Sequence, residues 1–340
     1  MIANHSTSFR TARLIAGFFL LIFVLSGCSA IIPQTEALRD NFPSKLPKHI
    51  ELDKVPFFPQ EDYQCGPAAL ATILVNAGIK VTPDELVGQV YLPARQGSLQ
   101  IEMLAAARRY GMVSYQLAPQ FKDLLREVAA GNPVIVLQDY GVWPIPVWHY
   151  AVIVGYDYQN GELLLRSGKK PRLKIPFAIL EYTWKESEYW AMVVVPPDRI
   201  PETANEFDYL IAVAALENLG NTRAAKQAYT TFLGRWPDNL TGTIGLANVL
   251  YATGELHEAE LALRGALKKN PESVALLNNL AQTLSDQGKN DEALKLIEQA
   301  SALGGKLAPT VEETKQLILL RASKKKPARS NSKLKQAVSP

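Results

Sequence analysis

Apolar positions along this chain change their rhythm twice. Residues 14–25 form an unbroken apolar run of twelve, preceded by Arg10 and Arg13. A bilayer core asks for about 20 residues of helix, so the run is short for a permanent span and suits the apolar region of an export signal. From Val55 to Pro197 helical and strand periods mix. Residues 65–78 read as an apolar helix closed by Gly78. Thr82-Pro83-Asp84-Glu85 opens a second helix, with Thr82 as cap and proline in the first turn. Ser98 is expected to cap a third helix running to Gly111, and residues 121–130 make a fourth. Strands follow at 134–137, 149–156, 162–166 and 190–195. Helices first and strands later predict an α+β domain over residues 51–198.

Beyond Pro196-Pro197 the strand signal stops and a period of 34 begins. Gly220, Gly254 and Gly288 share it, as do Ala225, Ala259 and Ala293, Pro237 and Pro271, and Leu246 and Leu280. Glycine suits the turn between paired helices, alanine lets them approach, and proline ends the second helix. The pattern resembles the tetratricopeptide repeat and predicts an all-α solenoid of three repeats over 203–306, near the minimum for a stable stack. The third repeat departs from it, with Gly305 where proline is expected. Residues 321–340 hold Arg321, Lys324, Lys325, Lys326, Arg329, Lys333 and Lys335 and no acid, and are expected to be a disordered basic tail.

That tail changes the meaning of the charge. The net value is +3, yet residues 28–320 carry an excess of acids, which excludes a nucleic-acid-binding core. Hydrophobic residues are 47% of the chain and charged ones 20%, so a sizeable core is expected. His49, His149 and His257 are scattered and give no metal-ligand spacing. Neither a phosphate-cradling glycine loop nor an ATPase segment is present, and no metal or cofactor is predicted.

Leu25-Ser26-Gly27-Cys28 resembles the lipobox of bacterial lipoproteins. The resemblance implies a signal peptide over 1–27, acylation of Cys28 and anchorage to a membrane by lipid. Ser29 after the cysteine implies the outer membrane, facing the periplasm. Residues 28–50, with Pro33, Pro43 and Pro47, read as a tether. An acylated Cys28 cannot form a disulfide, so Cys65 becomes a lone thiol in an oxidising compartment, a liability unless it is used.

Cys65-Gly66-Pro67-Ala68 opens the first helix, Gln60 lies five residues upstream, and His149 begins an apolar strand some eighty residues later. Unpaired N–H groups and the dipole at a helix start favour a thiolate, and a nearby imidazole completes a nucleophile–base pair. His49 falls in the tether and His257 in a repeat, which leaves His149 as the base. Together these residues resemble the C39 peptidase family, over about residues 50–197. The resemblance implies a papain-like fold, with Cys65 as nucleophile, His149 as base, and the Cys65 N–H with Gln60 as the oxyanion hole; Gln64 is adjacent and less suited. The family orients its histidine with an Asp or Asn about seventeen residues on, where this chain has Arg166-Ser167-Gly168. Ser167 is the candidate orienting residue and Asp157, at the strand's end, the other. The loop 141–148, rich in Pro and Trp, is either a wall of the substrate cleft or a cover for the core.

The expectation is an envelope-anchored cysteine peptidase acting on a peptide or protein substrate, with the repeats holding a protein partner or the substrate. The alternative is a degenerate peptide-binding adaptor whose function lies in the repeats. A third reading is an assembly lipoprotein in which Cys65 is structural.

Overall fold

The structure is a computed structural model that describes residues 32–59, 64–142 and 144–325. The chain divides into two compact units near residue 212. The signal run, Cys28, Gln60, Trp143 and residues 326–340 lie outside the described residues.

The first unit begins with helix α1 (Pro33–Asp40) and strand β1 (His49–Glu51). Helices α2 (Cys65–Asn76) and α3 (Pro83–Val90), the short strands β2 (Tyr91–Leu92) and β3 (Gly97–Ser98), and helix α4 (Gln100–Arg109) follow. Strand β4 (Val113–Gln116), helix α5 (Phe121–Ala129), β5 (Val134–Asp139), β6 (Trp148–Asp157), β7 (Glu162–Ser167), β8 (Lys170–Pro176), helix α6 (Phe177–Trp184) and β9 (Ala191–Val195) complete it. One antiparallel sheet runs in the order β4-β9-β5-β6-β7-β8, with β1 paired to the far end of β6.

Both faces of this sheet are covered, which is why its central strands read as unbroken apolar runs rather than alternating ones. On one face Leu70, Ile73 and Leu74 of α2 join a core with Ile135, Leu137, Val152, Val154, Met192 and Val194. The alternate residues Val134, Val136, Ala151 and Ile153 are also buried, and serve the other face. There α5 and α6 pack on β5 and β6, with the Phe121 ring 5.3 Å from that of Phe177 and 6.2 Å from that of Trp184. Helix α2 is buried from Gly66 to Leu74 without a polar stripe, as expected of a central helix.

Several expectations need correction. The stretch read as a tether is partly built into the domain. The Gln34 and Thr35 N–H groups at the head of α1 donate to the buried Glu181 carboxylate at 2.8 and 2.6 Å, and β1 places His49 opposite Asp157. Ser98 does not cap α4. It lies in β3, the cap position belongs to Leu99 with extended backbone, and no side chain closes that helix start. Thr82 does cap α3, in a capping box with Glu85. Strands do not all follow the helices, because β4 lies between α4 and α5. β8 also went unread, its exposed Lys-Pro-Arg-Leu-Lys sequence lacking an apolar run.

The second unit is helical. Helix α7 (Glu206–Asn218) contains the boundary and α8 (Thr222–Arg235) follows it; α9 (Leu240–Ala252) with α10 (Leu256–Lys269) and α11 (Val274–Asp286) with α12 (Asn290–Leu303) form hairpins. Gly220, Gly254 and Gly288 sit in the turns at φ of 72°, 80° and 78°, a region glycine enters without steric cost. Ala225, Ala259 and Ala293 are fully buried. A further helix, α13 (Ala308–Lys325), buries Val311 and Ile318 against the last hairpin. Residues 321–325, expected in a disordered tail, are instead the last residues of α13.

Candidate active site

Cys65 is the first residue of α2, and no side chain caps that helix start. Its first turn holds no acid, so the free N–H groups and the positive end of the helix dipole are left for a ligand. Gly66 is required by a close approach: a Cβ there would lie 2.2 Å from Ser98 Oγ and 2.6 Å from Ser98 Cβ. Strand β3 is thereby held against the head of α2, its position fixed by the Tyr150 hydroxyl donating to the Ser98 carbonyl at 3.1 Å. The Ser98 hydroxyl itself is buried there without a hydrogen-bond partner among the described residues.

His149 is the second residue of β6 and lies opposite Gln138 of β5. The backbone N–H of Tyr150, the very next residue, is close enough to the Cys65 thiol to lower its pKa. Thiol and imidazole line one cleft of about 1230 Å³ together with Tyr140, Trp148, Ser98 and Leu137. Gln96 and Glu188, two non-glycine residues with left-handed backbones (φ 46° and 56°), are also in its lining. Such conformations carry a cost and recur at functional sites.

His149 Nε2 lies 2.8 Å from Ser167 Oγ. Register shifts between Leu165 and Ser167 where β7 meets β8, a bulge of the kind that re-aims a strand's terminal side chain. The neighbouring Arg166 turns the other way and donates to the carbonyls of Val55, Asp53 and Pro171, tying down the segment that precedes α2. Asp157 sits at the opposite end of β6, where it accepts from Asn160 and faces His49 at 3.6 Å. Eight residues of strand, about 26 Å, keep it from His149. Gln60 falls outside the described residues, and Gln64 directly precedes α2.

The electrostatics differ from the activated pair that a helix start alone would suggest. Burial pushes the Cys65 thiol up, against the lowering effect of N–H groups from Tyr150, Gly66 and Cys65 itself. Burial also holds the His149 imidazole down, to about 4. The cleft at rest therefore holds an uncharged thiol and an uncharged imidazole.

Sequence reasoning missed Tyr140. Its ring stacks on His149, with centroids 5.2 Å apart and planes 25° from parallel, and its phenol reaches Ser167. It stands at the neck of a hairpin in which Val142 bridges to Ile145. Asp139 Oδ1 fastens that neck by accepting from the N–H groups of Gly141 and Val147, at 2.8 and 2.7 Å. Val142, Ile145, Val147 and Trp148 are exposed rather than packed over the core, and Pro146, Val147 and Trp148 line the cleft. Nothing in the sequence separated Tyr140 from other strand-end aromatics.

Comparison with known proteins agrees with both units. Residues 52–187 match the model of the Peptidase_C39 like family. Residues 209–274 and 244–309 match a tetratricopeptide repeat model. A protein of Methanothermobacter thermautotrophicus described only as uncharacterized is 31% identical over 108 residues, covering 32% of this chain and 68% of that protein. A structure described as a C39-like peptidase from Bacillus anthracis is 18% identical, with a TM-score of 0.37, covering 43% of this chain and 97% of that one. The TPR2B domain of yeast Sti1, in a complex with pHsp70, is 18% identical with a TM-score of 0.33, covering 36% of this chain and 98% of that domain.

Proposed function

From a chain whose first domain belongs to the Peptidase_C39 like family and whose later helices are tetratricopeptide repeats, we infer a cysteine peptidase anchored in the cell envelope. The observation that carries the reading is the shared cleft. It holds a thiol at an uncapped helix start and an imidazole whose far nitrogen is bound by Ser167. In the proposed reaction the His149 Nδ1 takes the thiol proton as Cys65 Sγ attacks a peptide carbonyl carbon. The oxyanion forms against the Cys65 N–H and the side chain of Gln60. The imidazolium then protonates the departing amine as the C–N bond breaks, leaving a thioester. Water hydrolyses the thioester, with His149 again taking a proton, and the free thiol returns.

Because the resting pair is neutral, proton transfer is coupled to substrate entry. A peptide that fills the cleft brings its carbonyl to the sulfur and places the growing negative charge at the helix start. The apolar hairpin beside His149 favours a substrate with large apolar side chains near the scissile bond. The repeats would hold a protein partner or the substrate protein, and acylated Cys28 would keep the enzyme at the outer membrane, facing the periplasm.

A peptide-like electrophile tests this better than a small alkylating agent, since binding in the cleft is part of the activation. A peptidyl acyloxymethyl ketone carrying apolar residues should modify Cys65, located by mass spectrometry, and His149→Gln should slow that by at least about 100-fold. Labelling no faster than that of free cysteine, and indifferent to His149→Gln, would sink the peptidase. The neutral pair favours, as the second reading, a peptide-binding adaptor built on the same cleft. It would bind the peptide portion of the probe reversibly while leaving Cys65 unmodified.

A further inference from the structure

The family's histidine partner, a carboxylate or amide, is replaced here by a serine, and a serine hydroxyl can either donate or accept. Left alone, it would not decide which nitrogen of His149 carries the proton. The surrounding hydrogen bonds decide it.

They are traced from the buried end. Thr183 Oγ1 lies 3.0 and 3.1 Å from the carbonyls of Ile179 and Leu180 in α6, which only accept, so its proton goes to them. Its remaining capacity is to accept, and Gln138 Nε2 donates to it at 2.8 Å. Gln138 is fully buried, and this bond fixes the sense of its amide, turning Oε1 toward Tyr140. An amide oxygen only accepts, so the Tyr140 hydroxyl donates to Gln138 Oε1, at 3.1 Å. Having given its proton inward, the phenol can only accept from the nearby Ser167 hydroxyl, which pulls its pKa down against the raising effect of burial. With the phenol closed to donation, the Ser167 proton has its outlet on that side, and a lone pair remains for His149 Nε2, 2.8 Å away.

We propose that this one-way chain, Ser167 to Tyr140 to Gln138 to Thr183, ending on a carbonyl of α6, does the orienting work of the absent carboxylate by holding His149 with its proton on Nε2 and its lone pair on Nδ1. Tyr140, Gln138 and Thr183 are then positioning residues, acting through Ser167 and the imidazole. Tyr140 acts twice, since its ring also stacks on the imidazole and fixes the ring's plane. The chain is neutral throughout, in keeping with a cleft that holds its histidine uncharged until substrate arrives. Its use in catalysis rests on the peptidase reading above, whereas the proton position does not.

The test reads the proton directly. In the full chain labelled with ¹⁵N-histidine, nitrogen shifts at pH 7.5 report the tautomer of each ring, and His149 is assigned by the signal that His149→Gln removes. The expected result is a His149 protonated on Nε2. Tyr140→Phe keeps the stacking ring and deletes the hydroxyl, so Ser167 is released to donate to the imidazole. The tautomer should move toward Nδ1–H, and modification of Cys65 by the peptidyl ketone should slow about tenfold. In the Tyr140→Phe background, Ser167→Asp supplies a direct acceptor and should restore the Nε2–H form and the rate together. Circular dichroism confirms that each variant folds, and Ser167→Ala, which deletes the acceptor outright, should abolish the tautomer preference by a second route. Wild-type His149 protonated on Nδ1, or a tautomer indifferent to both Tyr140→Phe and Ser167→Ala, would overturn the proposal. The expected tautomer with an inert Cys65 would uphold the chain and sink the peptidase.

Discussion

His149 should make the stability of the first unit fall as the solution is acidified, over a window set by its burial. An exposed histidine titrates near 6.5, while burial holds the His149 imidazole down to about 4. Between those values the unfolded chain binds a proton that the folded chain refuses, so unfolding is favoured as pH drops. The sign is positive: stability is complete above about pH 6.5, declines with falling pH, and the loss is finished below about 4. Each unit of separation is worth about 1.36 kcal/mol, so the 2.5 units set an upper limit of about 3 kcal/mol, roughly half of it lost by pH 5.5. Carboxylates titrate in the lower part of the same window, so the comparison is with His149→Gln, which keeps a polar group beside Ser167 and cannot take the proton. Urea unfolding of both proteins at half-unit intervals from pH 7.5 to 4.5 should show the wild type losing up to about 3 kcal/mol more than the variant. Following the His149 Cε1–H resonance over the same range gives the proton affinity directly. Parallel stability curves together with a titration near 6.5 would refute the argument. A His149 that titrates above 7 would refute it differently, by revealing a thiolate–imidazolium pair already formed at rest.

Three other outcomes follow from the same geometry. Burial raises the Cys65 thiol, so its modification by iodoacetamide, read on the Cys65 peptide by mass spectrometry, should be slow at pH 6–7 and climb only through the ordinary thiol range and beyond; a rate already at its plateau at pH 6 would contradict a neutral resting pair. Gly66→Ala would set a Cβ 2.2 Å from Ser98 Oγ, and should cost about 1–3 kcal/mol in unfolding measurements while slowing labelling of Cys65 by the peptidyl ketone at least about tenfold, since β3 must retreat from the head of α2. Glu181→Gln replaces a carboxylate oxygen that accepts from a backbone N–H by a second donor, and should cost about 1–3 kcal/mol; limited proteolysis should then cut near α1 before it cuts the sheet.

What the sequence disclosed, and what it withheld, follows from where the information sits. The helix that begins at Cys65, the strand that begins near His149 and the 34-residue period are properties of contiguous residues, and a periodic apolar pattern reports burial directly. Strand β1 escaped notice because three residues, His49-Ile50-Glu51, carry no period; its place beside β6 is settled by partners more than a hundred positions away. Ser98 was mistaken for a cap because a serine before an apolar run is the usual signal, whereas its actual task is to lie against a glycine thirty-two residues upstream. Ser167 could be named as the candidate partner of His149 because it stands near the spacing at which the family keeps its orienting residue, yet the chain behind it could not be read at all. Gln138, Tyr140 and Thr183 are ordinary residues for a strand end or a helix; only cross-strand register aligns Gln138 with His149, and only the packing of α6 on β5 brings Thr183 to Gln138. The loss of the family's Asp or Asn thus counts as evidence of degeneracy only if orientation must come from a carboxylate or an amide. Here the fold delivers an acceptor-only carbonyl at the end of four hydrogen-bonding side chains, and direction passed along hydrogen bonds does what that side chain would have done.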